Sequence, residues 1–132
     1  MTVKTMVHIL VIDDNAHNLY MMAYLLERSG FGVFQASNGP DGVHSALTHH
    51  PALILLDIQL PGVDGYEVAR TLRRHEALRE TPIIAVTSHA MVGDRQRCLA
   101  AGCNDYIEKP IDPDGLLITI QSHLDAAREP TP

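Results

Sequence analysis

Two kinds of hydrophobic pattern alternate along this chain. Short unbroken apolar runs are separated by longer stretches in which apolar residues recur every third or fourth position, the periods of buried strands and amphipathic helices. Val7 to Ile12 predicts a fully buried strand, and from Asn15 a helix follows with Leu19, Met22, Ala23 and Leu26 on one face until Ser29-Gly30 stops it. Phe31 to Ala36 predicts a shorter second strand. Asn38-Gly39-Pro40 then opens a helix whose apolar face includes Val43, Ala46 and Leu47, and Pro51 closes it. Leu53 to Asp57 is the third strand, and Pro61-Gly62 marks a turn before a helix carrying Val68, Ala69 and Leu72. Pro82 to Thr87 supplies a fourth strand, Ala90 to Ala101 a fourth helix closed by Gly102, and Asp105 to Glu108 a fifth strand. Pro113 starts a last helix, with Leu117, Ile120 and Leu124 sharing a face. The expected organisation is one domain over residues 1–127, with 128–132 as a tail or linker stub.

Five strands alternating with five helices define an α/β chain. Because the strands are apolar throughout rather than at every second residue, both faces of their sheet must be covered, which predicts a doubly wound parallel sheet with right-handed crossovers. In such sheets the functional crevice lies outside the carboxyl ends of the strands. Asp13, Asp14, Asp57, Thr87 and Lys109 all fall at or just past such an end, on strands one, three, four and five.

Composition narrows the function classes. With 132 residues, 45% hydrophobic and 20% charged, the chain has the profile of a single soluble domain. Its net charge of -6 argues against a nucleic-acid surface, which needs excess Lys and Arg. No apolar stretch approaches the roughly 20 residues that cross a bilayer, and Met1-Thr2-Val3-Lys4-Thr5 lacks a signal-peptide core, so a cytoplasmic location without membrane contact is expected. Cys98 and Cys103 read as reduced packing residues, and the histidines other than His89 show no zinc-site spacing. Arg70, Arg73, Arg74 and Arg79 read as a solvated basic face.

The chemistry lies in the strand ends. Three carboxylates gathered at one rim tolerate each other only when protonated or when they share a divalent cation, and hard oxygen ligands suit Mg²⁺, a metal commonly shared with phosphate. A lysine and a hydroxyl beside them complete a phosphoryl site, in which Asp57 is the candidate nucleophile and Lys109 and Thr87 bond or screen the transferred group.

These residues resemble the receiver domain of two-component response regulators, and the resemblance spans nearly the whole chain. It rests on Asp13-Asp14 after the first strand, on Asp57 within Leu56-Asp57-Ile58-Gln59-Leu60-Pro61-Gly62-Val63-Asp64-Gly65, on Thr87-Ser88 and on Lys109-Pro110. The resemblance implies a flavodoxin-like sheet of order 2-1-3-4-5 and a signalling switch that accepts a phosphoryl group onto Asp57. The donor would be a histidine kinase or a phosphotransfer protein carrying phosphohistidine. It further implies that Asp14, Asp57 and the backbone carbonyl of Gln59 ligate Mg²⁺, or Mn²⁺ in its place, with Asp13 acting through water. Lys109 would pair with the phosphoryl group, and its bond to Pro110 would be cis. Thr87, Ser88 and Tyr106 would form the phosphoryl-binding switch, while Gln59 and His89 would tune the phosphoryl lifetime. The signal would leave through the face of helix 4, strand 5 and helix 5. The stretch from Ala90 through Ile107 is most similar to receivers of hybrid sensor kinases and some stand-alone receivers. Such a domain promotes only its own phosphorylation and dephosphorylation.

Three rivals fit less well. A phosphatase of the haloacid dehalogenase type needs a second aspartate two residues after the nucleophile, where this chain has Gln59. A flavodoxin-like electron carrier needs a phosphate-cradling loop where Asp13-Asp14 would repel the phosphate. A degenerate receiver used only for protein contacts would not be expected to keep Asp13, Asp14, Asp57, Thr87 and Lys109 together.

Overall fold

The computed structural model describes residues 6–60, 64–88 and 92–128. Their strands are β1 (His8–Ile12), β2 (Gly32–Ala36), β3 (Leu53–Asp57), β4 (Ile83–Thr87) and β5 (Asp105–Glu108). They alternate with α1 (Ala16–Arg28), α2 (Gly39–His49), α3 (Gly65–Arg74), α4 (Asp94–Ala101) and α5 (Pro113–Arg128), plus a single 3-10 turn at Glu76–Leu78. All strand pairs are parallel, in the order β2-β1-β3-β4-β5, as the pattern and the resemblance predicted.

The unbroken apolar runs have a simple cause. Successive residues of a strand point to opposite faces, and here each face has its own core. Leu10, Ile12, Ile54, Leu56, Ile83 and Ala85 pack with Ala46, Val68, Ala69, Leu72 and Cys98 of α2, α3 and α4. The alternate residues Ile9, Val11, Leu53, Leu55 and Ile84 pack with Leu19, Met22 and Leu26 of α1 and with Leu116, Ile120 and Leu124 of α5. No strand position in the centre of the sheet is left for a polar side chain, so polar chemistry is confined to the rims.

The starts of α1, α2 and α3 are set by side-chain caps. Asn15, Asn38 and Asp64 accept hydrogen bonds from the backbone of Asn18, Asp41 and Tyr66, each cap worth about 1 kcal/mol. With Asn15 as the cap of α1, Asp14 is left exposed at the rim. Two expectations shift. Within the described residues α4 begins at Asp94 rather than Ala90, after Gly93 in a left-handed conformation. In α5 the fully buried position is Leu116, one turn before Ile120, whereas Leu117 is half-buried at the margin of the same core.

Arg73 corrects the reading of a solvated basic face. Its Nε donates to the carbonyl of Gly102 at 2.8 Å, and its Nη1 donates to those of Leu78 at 2.9 Å, Arg79 at 3.2 Å and Thr81 at 2.6 Å. Nη2 bonds the Asn104 side-chain oxygen, which also accepts from the Ile83 backbone at 2.8 Å. The guanidinium therefore ties α3 to the segments that enter β4 and β5, at the rim opposite the acids. Gly102 makes the approach feasible, since a Cβ there would lie 2.5 Å from Arg73 Cγ and its φ is +109°. Arg70 and Arg74 do sit on a solvated face, paired with Glu67. Cys98 and Cys103 are free, buried thiols; burial pushes the Cys103 thiol up to about 12 and also raises that of Cys98.

Because Arg73 satisfies backbone carbonyls that would otherwise lose their partners, Arg73→Ala is expected to lower the unfolding free energy by about 2–4 kcal/mol. Arg73→Lys should recover less than half of that, because one ammonium cannot span the same acceptors. Arg70→Ala, which removes only an exposed pair, should stay within about 0.5 kcal/mol of wild type. Urea denaturation of the three variants checks the contrast.

Candidate functional site

The carboxyl ends of β1 and β3 are neighbours in the sheet, with Ile12 opposite Leu56, so the acids that follow them meet. Asp13 leaves β1 with its N–H on the Ala36 carbonyl at 3.0 Å, and its Oδ1 accepts from the Asn15 N–H at 2.9 Å. Asp57 is the last residue of β3, and its Oδ1 accepts from the Gln59 N–H at 2.9 Å. Both are buried, each 5% exposed, whereas Asp14 is open to solvent. One oxygen from each of the three lies within 4.8 Å of the other two.

Lys109 faces this cluster from just past β5, held by its N–H on the Thr87 carbonyl at 2.7 Å. Its Nζ stands 3.5 Å from Asp13 Oδ2 and 3.6 Å from Asp57 Oδ2. The Lys109-Pro110 peptide is cis, as the resemblance implied. Burial raises the Asp57 pKa above its ordinary value; the Gln59 N–H and the Lys109 ammonium oppose that rise, and the neighbouring Asp13 adds to it. Three carboxylates against one ammonium leave two net negative charges, and the oxygen donors and their spacing suit a small divalent cation such as Mg²⁺.

The remaining residues nominated from the sequence fall around this centre. Thr87 ends β4 and is buried, and Ser88 follows it, exposed. Tyr106 lies on β5, half-buried against the core that contains Cys98. His89 and the turn at Pro61-Gly62 lie outside the described residues. Two features had no signal in the spacing of residue types. The Gln59 side-chain oxygen reaches across to β4, accepting from the Ser88 N–H at 3.2 Å and from the Ser88 hydroxyl. Where α3 faces α4, the Arg97 guanidinium lies 4.6 Å from the Tyr66 ring centroid and 3.8 Å from Asp94. Burial, with help from Cys98 and Asp94, pushes the Tyr66 phenol up to about 12. Gly65 keeps this helix start against the loop after Asp57, because a Cβ there would lie 2.4 Å from the Ile58 backbone.

Fold and rim together define a flavodoxin-like α/β domain with a carboxylate–lysine site at the switch point of its strand order. The chain belongs to the response regulator receiver domain family, whose model matches residues 9–121. It is 42% identical over 116 residues to the polar-differentiation response regulator DivK of Brucella ovis, covering 88% of this chain and 94% of that one. Among solved structures it is similar to the receiver domain of the sensor histidine kinase PA1611 from Pseudomonas aeruginosa PAO1. That match has 36% identity and a TM-score of 0.84, over 92% of this chain and 99% of the other, and that structure has a magnesium ion coordinated in its active site cleft. A CheY-like receiver domain protein from Methanospirillum hungatei JF-1 matches with 29% identity and a TM-score of 0.87, over 93% and 97% of the two chains. The protein is thus a two-component signalling switch of the phosphoacceptor type, a regulatory domain rather than a turnover enzyme, and the phosphatase reading finds no support.

The raised Asp57 pKa has a consequence for stability. The folded chain holds the Asp57 proton more tightly than the unfolded chain, so ionising it costs stability. That cost is absent below the ordinary value of 3.8, grows as the pH rises through the window up to the raised folded value, and persists at neutral pH. Without added metal, Asp57→Asn should therefore be more stable than wild type at pH 7 by about 1 kcal/mol. The difference should shrink as the pH falls through that window and vanish below 3.8. Denaturation curves at the two pH values test it.

Proposed function

We propose that Asp57 is the phosphoacceptor, taking a phosphoryl group from the phosphohistidine of a histidine kinase or phosphotransfer protein. The observation that carries this reading is the convergence of Asp13, Asp14, Asp57 and Lys109 at one rim. A carboxylate oxygen of Asp57 forms the new O–P bond, and the electron pair of the breaking P–N bond returns to the donor imidazole. Asp13, Asp14, Asp57 and the Gln59 backbone carbonyl are the residues to hold Mg²⁺, or Mn²⁺, which when bound offsets the charge of the incoming phosphoryl oxygens. The Lys109 ammonium, 3.6 Å from Asp57, screens the same charge. The Thr87 hydroxyl and the Ser88 N–H bond the transferred oxygens. Hydrolysis of the acyl phosphate by water then resets the domain, at a rate tuned by the side chains at Gln59 and His89.

Output follows from strand adjacency. Thr87 and Tyr106 lie on paired strands, with Ala85 opposite Tyr106 and Thr87 opposite Glu108. A shift of Thr87 toward a phosphoryl oxygen opens space for the Tyr106 ring and reshapes the face of α4, β5 and α5 that meets the downstream protein. His123 Nε2 and Asp105 Oδ2, 2.8 Å apart, bind α5 to β5 in that face. Burial disfavours the Asp105 carboxylate, but His123 and the Tyr106 N–H outweigh it and hold its pKa low. The donor chemistry and the acidic surface favour work in the cytoplasm away from nucleic acid; no helix among the described residues is long and apolar enough to cross a membrane.

With Mg²⁺ and a small phosphodonor, phosphate should map to Asp57 by mass spectrometry, and should disappear on chelation and in Asp57→Asn. Equal incorporation in the variant overturns the assignment. Mg²⁺ at a hundredfold excess over its Kd should stabilise wild type by about 2.7 kcal/mol and Asp57→Asn by much less. Lys109→Ala should fold normally but lose about tenfold or more in phosphorylation rate and uncouple it from partner binding; a variant with unchanged rate and coupling removes Lys109 from the mechanism.

A further inference from the structure

We propose that the Gln59 side-chain amide is a latch on the phosphoryl-binding end of β4, holding both donors of Ser88 in the resting chain and releasing them when Asp57 is modified. The inference rests on the phosphoacceptor reading above and adds a gate to it. Gln59 Oε1 is the acceptor for the Ser88 N–H at 3.2 Å and for the Ser88 hydroxyl. A single oxygen thus occupies both groups of Ser88 that could reach an anionic ligand.

The backbone of Gln59 is fixed at the same time, since its N–H donates to Asp57 Oδ1 at 2.9 Å. One residue therefore touches the acceptor carboxylate with its main chain and the opposite wall of the site with its side chain. Sheet register makes this span feasible. Asp57 pairs with Val86, and the Ile58 N–H donates to the Val86 carbonyl at 3.0 Å, so Thr87-Ser88 runs beside Ile58-Gln59.

Release is driven by charge. A phosphoryl oxygen is anionic and the Gln59 carbonyl is neutral, and charge-assisted hydrogen bonds are roughly twice as strong as neutral ones. The exchange is therefore favourable once a phosphoryl group is present. Before that, the two contacts on these exposed side chains favour the closed state by about five- to tenfold, and the apparent affinity for a phosphoryl group falls by the fraction of molecules that are open. The latch acts on the side chain alone, so removing it leaves the Gln59 backbone carbonyl in place for the metal. Gln59 is a positioning residue in this scheme, acting through Ser88.

The test is titration of the full chain with fluoroberyllate, a phosphoryl mimic, at saturating Mg²⁺, with the Ser88 amide followed by NMR. Gln59→Ala should tighten fluoroberyllate binding about three- to tenfold. Gln59→Asn, whose amide is one methylene too short to reach, should do the same. In the free protein the Ser88 amide resonance should move upfield in both variants, while the fluoroberyllate-bound forms should coincide with wild type. In a Ser88→Ala background, which already lacks one of the two contacts, the gain from Gln59→Ala should shrink. Unchanged or weaker binding by Gln59→Ala, or a Ser88 amide that does not move, overturns the latch and leaves the phosphoacceptor reading standing. A wild type that binds no fluoroberyllate removes that reading and the latch with it.

Discussion

Two buried carboxylates share one ammonium, and the rest of the structure is arranged to hold that costly grouping in place. Asp13 and Asp57 are each 5% exposed and are answered among the described cations by Lys109. Bringing like charges together in a partly desolvated site raises the free energy of the folded state unless something offsets it. The offset comes from the sheet behind them. Strands β1, β3 and β4, buried on both faces, hold their carboxyl ends in register with β5 beside them at the sheet edge, and two separate cores supply the apolar burial behind the site. The same burial that makes Asp57 hard to ionise leaves the pocket ready for a divalent cation.

The two rims of the sheet are built differently, and the difference suits a switch. At the amino end of β4 and β5, Arg73 and Asn104 join α3, the 3-10 turn and the strand entries through a dense set of hydrogen bonds. At the carboxyl end the side-chain contacts among the described residues include two that can be exchanged: an ammonium at ion-pair distance from two acids, and an amide oxygen bonded to one serine. Contacts that can be exchanged thus lie where the carboxylates converge, and in packed elements small shifts pass on as discrete rearrangements. The contact of Arg97 with Tyr66 joins α4 to this rim, because Tyr66 lies in the first turn of the helix that Gly65 presses against the loop after Asp57.

Much of this was legible in the residue order, for reasons particular residues make clear. The strands declare themselves because both faces are buried, so Leu53-Ile54-Leu55-Leu56 has no polar interruption. The site declares itself because Asp13, Asp57 and Thr87 each end or follow such a run and Lys109 follows the fifth strand, and the sheet order brings those ends together. Arg73 was misread because a guanidinium on a charged helix gives no sign, in sequence, of which carbonyls it will meet; Gly102, Thr81 and Leu78 reach it only through the fold. The Gln59–Ser88 contact was hidden for the same reason, being 29 residues apart. Leu116 and Leu117 are adjacent and both apolar, so periodicity alone could not choose which one faces α1 and the sheet.

Charge explains why a neutral amide suits position 59. The three carboxylates and Lys109 leave two negative charges at the rim, which one divalent cation neutralises. A carboxylate at position 59 would add a third net negative charge beside Ser88, and on the proposed reading it would repel the phosphoryl oxygens there. An amide presents the same carbonyl geometry without that charge. The contact lengths of Lys109 point the same way. At 3.5 Å and 3.6 Å the ammonium lies beyond ordinary hydrogen-bond distance from both acids, so a small movement toward a phosphoryl oxygen sacrifices little of what it now gains. These two ties can therefore be exchanged for a dianion, the Gln59–Ser88 contact because both of its partners are neutral and the Lys109 contacts because they are long.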